Sequence, residues 1–230
     1  MTVAFIHASR AAIEPVANYY TAKAPDLDCV HLLDDGIMRF LAAQDIVRSE
    51  NRFQAMVETA RDTYGASLIV LTCSAVPRET MDALRVAAGF PLFKIDEPMA
   101  QLAVACGRRI GVLATFPATL ATTRSLLEEA EPGIAVVWEM EEEALQALLA
   151  GDQARHDELF LAAAQRLAKR EVEAVVMAQV SMARLQNQVE QILKVPVFNG
   201  IETSIAAVRN AIDSGAAAWT APAQTARTSR

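Results

Sequence analysis

Polar and apolar positions alternate in blocks along the chain. Four short runs, near 3–7, 67–72, 109–114 and 173–178, are continuously apolar, as expected of strands covered on both faces. Longer stretches between them, such as 49–63 and 154–169, place apolar residues at helical spacing. "LDCVHLL" from Leu27 reads as a further strand, and "FPLFK" from Phe90 and "VPVFN" from Val195 as short strands behind a proline. Strands alternating with helices predict parallel sheets built from right-handed βαβ units. From Ser214 onward the residues are small, polar and unpatterned, which predicts a frayed tail with Trp219 tucked back onto the body.

The chain also contains itself twice. "FQAMVETARDTYGASLIVLTC" from Phe53 and "FLAAAQRLAKREVEAVVMAQ" from Phe160 each run from a helical stretch into a β-branched strand and a polar stop. "FPLFKIDEPMAQLAV" from Phe90 and "VPVFNGIETSIAAV" from Val195 each pair a short strand with a glutamate that opens the next helix. "VAFIHAS" from Val3 matches "IGVLATF" from Ile110 in the same way, and all three matches are offset by 105 to 107 residues. The expected fold is therefore α/β with two pseudo-symmetric lobes, each a small parallel sheet flanked by helices, facing across a cleft. Residues 1–97 with 203–215 would form the first lobe and 98–202 the second, leaving 216–230 as a flexible tail. Ligands bind beyond the carboxyl ends of parallel strands. The segments of interest are thus His7 to Arg10, Thr72 to Ser74, Thr115 to Thr119 and Gln179 to Ser181.

Composition narrows the partners. With 230 residues, 53% of them hydrophobic and 21% charged, the chain can bury a sizeable core. Its 28 acidic and 21 basic residues leave a net charge of −7, which argues against a nucleic-acid or anionic-membrane surface. No apolar run reaches membrane-spanning length, and "MTVAFIHASR" reads as a strand and not as a signal peptide. Cys29, Cys73 and Cys106 are scattered and odd in number, so they suggest neither a disulfide framework nor a metal site, and the expected setting is the cytoplasm. No glycine-rich loop follows a strand, and no His/Cys/Asp cluster has metal-ligand spacing.

The stretch "LTCSAVPRET", residues 71–80, concentrates the chemistry. Cys73 stands between a strand and a helix expected to open near Pro77, flanked by the hydroxyls of Thr72 and Ser74. A helix N-terminus stabilises anions and lowers a thiol's pKa, which would suit Cys73 to general acid/base or nucleophilic work. The alternative is an inert buried cysteine. His7 ends a strand in the same rim and is a candidate second acid/base; a satisfied core histidine is the competing reading. Arg10 is a candidate clamp for a substrate carboxylate or a member of a surface ion pair. Glu97 and Glu202, paired by the repeat, read as helix caps, His31 and His156 as structural, and the acidic run Glu139 to Glu143 as the solvated start of a helix. "GFPLFK" and "LKVPVFNG" read as strand-and-turn packing.

"LIVLTCSA", "AVVMAQVSMA" and "RIGVLATFPATLATT", in this order and together with the duplication, resemble the aspartate/glutamate/hydantoin racemase superfamily over about the first 210 residues. The resemblance implies two α/β lobes, no cofactor, a small carboxylate substrate in the cleft and a homo-oligomer, expected to be a dimer. It also implies acid/base chemistry at the carbon α to the carboxylate, with one cysteine from each lobe facing that carbon. Cys73 matches the first cysteine, and Thr115 and Thr119 match threonines that hold the substrate carboxylate. Where the second cysteine belongs stands Gln179, followed at two residues by Ser181. A carboxamide donates hydrogen bonds but delivers no proton at neutral pH. A racemase or epimerase with His7 as second acid, a one-thiol decarboxylase of a malonate-like acid, and a cysteine hydrolase with His7 as base all remain open. So does a non-catalytic module that closes on a small ligand.

Overall fold

The computed structural model describes residues 1–214; the predicted tail and Trp219 lie outside the described residues. β1 (Thr2–His7), β2 (Asp28–Leu33), β3 (Ala66–Leu71) and β4 (Leu92–Lys94) form a parallel sheet in the order β2-β1-β3-β4. β5 (Arg109–Ala114), β6 (Ala135–Met140), β7 (Ala174–Met177) and β8 (Val197–Asn199) form a second parallel sheet in the order β6-β5-β7-β8. The two orders are the same, so the internal repeat is a repeat of topology. It extends to single bonds beyond the strands. Thr72 N–H donates to Ile6 O at 3.0 Å as Ala178 N–H does to Leu113 O at 2.9 Å. Asp34 N–H donates to His7 O at 3.1 Å as Glu141 N–H does to Ala114 O at 2.9 Å.

Both sheets are covered on both faces, which is why their strands read as unbroken apolar runs. Ala4, Ile6, Ile69 and Leu71 face α3 (Ile46–Asp62) and α4 (Arg78–Ala88) through Phe53, Val57, Met81 and Leu84. The alternate residues Val3, Phe5, Leu68 and Val70 face α1 (Arg10–Lys23) through Val16 and Tyr20. In the second lobe Leu113, Val175 and Met177 pack on α8 (Gln153–Leu167), while Ile110, Val112 and Val176 pack on Met99 and Ala103 of α5 (Glu97–Cys106). Gly111 lets α8 approach the sheet: a Cβ there would stand 2.9 Å from Val175 Cγ2 and 3.0 Å from Leu167 Cδ2.

The chain crosses between the lobes twice. α5 follows β4 yet packs on β7 and β8. α10 (Gly200–Asp213) follows β8 yet packs on α1, and its Val208 and Ala211 belong to the first lobe's core. One element escaped the sequence pattern. Glu139 lies in strand β6 and not at the start of a helix, and α7 (Glu142–Leu149) begins three residues later. Glu139 and Glu141 are only partly solvated, because both accept from Arg166 of α8, at 2.6 and 2.9 Å. The acidic run thus hides a strand edge behind an ion-pair cluster.

Candidate active site between the lobes

Each lobe delivers one side chain from the second position past its third strand. β3 ends at Leu71 and presents Cys73; β7 ends at Met177 and presents Gln179. The sheet directions point both toward one cavity of about 60 Å³, enough for a handful of water-sized groups. From the first lobe it is lined by Ala8, Ser9, Thr72, Cys73, Ser74 and, on α2 (Ile37–Ala42), Met38. From the second come Phe116, Thr119 at the start of α6 (Thr119–Ala130), Leu145 of α7, Gln179, Val180 and Ser181. The last two belong to a 3-10 turn at Val180–Leu185. Two links hold the lobes together at its edge: the Thr122 hydroxyl donates to Ser74 O at 2.6 Å, and Arg78 pairs with Glu129 at 3.1 Å.

Cys73 is 8% exposed, and burial pushes its thiol up to about 11, against the partial opposition of the Ala75 N–H and of Lys94. This corrects the expectation of a thiolate poised by a helix N-terminus. α4 begins only at Arg78, with Pro77 as its cap, so the helix end lies a full turn of chain beyond the sulfur and burial wins. At neutral pH the thiol carries its proton.

Gln179 is pinned from both sides. Its Oε1 accepts from the Thr115 N–H at 3.0 Å and lies 3.4 Å from the Thr115 hydroxyl. Its Nε2 donates to Thr119 Oγ1 at 2.9 Å, while the Thr119 hydroxyl donates to Phe116 O at 2.7 Å. The backbone N–H fixes which end of the amide is oxygen. The two threonines expected to hold a substrate carboxylate are therefore engaged by Gln179, and Thr115, 1% exposed, does not line the cavity.

His7 is the larger correction. It is fully buried and does not line the cavity, and both ring nitrogens are engaged: Nδ1 with Thr72 Oγ1 and Nε2 with His31 Nδ1, each at 2.9 Å. The Thr72 hydroxyl also lies 3.1 Å from Ile6 O. One assignment satisfies every contact. His31 Nδ1–H donates to His7 Nε2, His7 Nδ1–H to Thr72, and Thr72 to the carbonyl. Burial first, and His31 second, hold His7 down to about 3, so this imidazole is neutral and enclosed. Arg10 is likewise displaced: it is a surface residue pairing Asp35 at 3.2 Å, the two side chains 79% and 58% exposed. Glu97 and Glu202 are not caps of their own helices. Glu97 accepts from Arg85 and the Lys94 N–H, and α10 is capped by Asn199.

Of the residues singled out from the sequence, the structure thus brings Thr72, Cys73, Ser74, Thr119, Gln179 and Ser181 to one cavity, and leaves His7, Arg10 and Thr115 off its surface. Met38 and Leu145 were missed, since they reach the cavity from helices and no strand-end rule finds them. Lys94, read as packing within "GFPLFK", and Asp96, which was not singled out, are buried charges; the signal was three charged residues, Lys94, Asp96 and Glu97, inside the apolar run "FPLFKIDEPMA". Among the described residues no group of three His, Cys, Asp or Glu could hold a metal ion, and no helix is long and apolar enough to cross a membrane.

Solved structures with this architecture include a glutamate racemase from Bacillus anthracis, with TM-score 0.77 and 16% identity over 95% of this chain and 84% of that one. An allantoin racemase from Klebsiella pneumoniae gives 0.71 and 18% over 94% and 89%. An aspartate racemase homologue from Pyrococcus horikoshii gives 0.68 and 16% over 92% and 99%. A comparison with curated proteins gives no significant match. The family model described as Asp/Glu/Hydantoin racemase matches residues 8–208, a span that holds every strand but β1 and every residue lining the cavity, and the chain belongs to that family.

Proposed function

We propose that this protein is a cofactor-independent enzyme that performs acid/base chemistry at the carbon α to the carboxylate of a small acid, with Cys73 as the proton carrier on one face. One observation carries the reading: among the described residues lining the cavity, Cys73 is the one ionisable side chain. A thiol that keeps its proton at neutral pH suits the role of donor to a carbanion. Loss of carbon dioxide from a malonate-like acid needs only such a donor. The C–C bond breaks, its electron pair passes to the α-carbon, that carbon takes the S–H proton, and water reprotonates the sulfur. Ser74 and Ser181 line the same cavity, and their hydroxyls would hold the substrate carboxylate. Thr115 and Thr119 would act through Gln179 by fixing its amide. His7 would position Thr72 and carry no proton.

Racemisation or epimerisation is the second reading, favoured by family membership and by the glutamate and allantoin racemases of similar fold. It requires a second proton carrier on the face where Gln179 stands. Proton NMR in deuterated water separates the two, using a panel of small 2-substituted carboxylates and malonates with wild type and Cys73→Ala side by side. Deuterium entering one face, or carbon dioxide release with one-faced labelling, is the expected result, abolished in Cys73→Ala. Inversion would establish the second carrier. Turnover that survives Cys73→Ala would overturn the assignment of Cys73.

A further inference from the structure

Lys94 and Asp96 leave the first sheet beside the strand that delivers Cys73. β3 and β4 run parallel with Leu71 opposite Lys94, and Ile95 N–H donates to Leu71 O at 2.9 Å. The segments Thr72–Cys73 and Ile95–Asp96 therefore emerge side by side. Both charged side chains are enclosed, 5% and 2% exposed, with Lys94 Nζ 3.7 Å from Asp96 Oδ1. That separation is an ion pair and not a hydrogen bond, and neither carboxylate oxygen of Asp96 has any hydrogen-bond partner. A buried charge pair without supporting hydrogen bonds is costly to keep and contributes little to stability.

The second lobe supplies an internal control. There Met177 takes the place of Leu71 and pairs with Asn199, the counterpart of Lys94. Two residues further on, Cys73 becomes Gln179 and Asp96 becomes Ile201. The lobe that carries the thiol carries the buried charges, and the lobe that carries an amide has neither.

We propose that Lys94 is the buried cation that receives the negative charge when Cys73 gives up its proton, and that Asp96 is its counter-charge in the resting protein. Both are positioning residues, and the inference rests on Cys73 being the proton carrier. The other charged groups nearby are already engaged. Glu97 accepts from Arg85 Nη2 at 2.5 Å and from the Lys94 N–H at 3.2 Å, Arg85 also pairs with Asp82, and Arg78 pairs with Glu129. The field at the sulfur has the matching signs: after burial and the Ala75 N–H, Lys94 favours the thiolate and Asp96 opposes it.

The test needs no substrate. In full-length protein with Cys29→Ser and Cys106→Ser, the rate of Cys73 alkylation by iodoacetamide is followed from pH 7 to 11 and the site confirmed by mass spectrometry. At a given pH within this range Lys94→Met should shift alkylation to a slower rate and Asp96→Asn to a faster one, each by about tenfold, the change in thiolate population that one pKa unit makes. A merely loosened core exposes the sulfur in both variants and shifts both the same way. Shifts of the same sign, or none in either variant, overturn the proposal. If Lys94→Met does not fold, Lys94→Gln and the opposite-signed Asp96→Asn arm still decide it. Opposite shifts without turnover in the substrate panel would support this pair while counting against the proposed reaction. Turnover without shifts would do the reverse.

Discussion

The enclosed His7 makes acid stability a sharp test of the site's architecture. Its pKa is about 3 in the folded chain against 6.5 for the free side chain, so the folded state stays neutral where the unfolded state binds a proton. Stability from this group is fully present above pH 6.5 and is lost as pH falls toward 3. The whole window is worth about 5 kcal/mol at 1.36 kcal/mol per pKa unit, of which about 2 kcal/mol goes between pH 7 and 5. His31 is lowered too, by its own burial, and adds to the loss, whereas Glu97, raised by burial, works against it. Comparing wild type with His7→Gln cancels much of both. Urea denaturation followed by circular dichroism at pH 7, 6 and 5 should show the advantage of wild type shrinking by about 2 kcal/mol over that range. The His7 ring proton, read by NMR, should not titrate above pH 5. Parallel pH dependence in the two proteins, or a His7 titration near 6.5, would refute the enclosed, doubly bonded histidine. It would also restore His7 as a candidate acid.

Gln179→Cys should lose about 1–2 kcal/mol of stability with the amide's bonds to Thr115 and Thr119, and should introduce α-carbon inversion; unchanged stereochemistry in the deuterium assay would count against Gln179 facing Cys73. Cys73→Ala should lower turnover by about 10²–10⁴-fold while leaving the circular dichroism spectrum intact. Arg10→Ala should change neither KM nor, beyond about 1 kcal/mol, stability, because its ion pair is exposed; a raised KM would make it the clamp after all. Gly111→Val should cost about 1–3 kcal/mol by forcing Val175 and Leu167 away, measured by the urea midpoint.

The fold was legible because strands covered on both faces cannot alternate: β1, β3, β5 and β7 each appear as an unbroken apolar run with helical spacing between them. β6 was not, since Glu139 near its end and Glu141 just past it are charges met by Arg166 from a helix some 25 residues away in sequence. The strand-end rule found Cys73 and Gln179, whose place is set by chain direction alone. It misjudged His7, because the last residue of β1 still lies within the sheet and its ring turns toward Thr72 and His31 inside the lobe, whereas Cys73 stands two residues past the end of β3 and reaches the cavity. The protonation of Cys73 was equally invisible. It depends on how much chain separates the sulfur from the first turn of α4, and on how completely the lobes exclude water, and neither is a property of local sequence.

The two lobes share one topology but place different chemistry at the same position, and the difference reaches past the two residues that line the cavity. Behind Cys73 lie a buried lysine and an aspartate with unpartnered oxygens. Behind Gln179 lie Asn199 and Ile201, with the Asn199 side chain spent on capping α10 and on Gln186. A proton carrier needs a neighbour that responds when its charge changes. A carboxamide never changes charge, and needs only partners that fix its direction, which Thr115 and Thr119 supply. The second lobe is thus built, two layers deep, to hold a neutral group still, and the first to let a charge form. Restoring a cysteine at position 179 alone would place a thiol with no cation behind it, so inversion in Gln179→Cys should be slow at neutral pH and rise steeply toward alkaline pH. A Gln179→Cys protein that inverts its substrate as readily at pH 7 as at pH 9 would break the link between the buried pair and proton transfer.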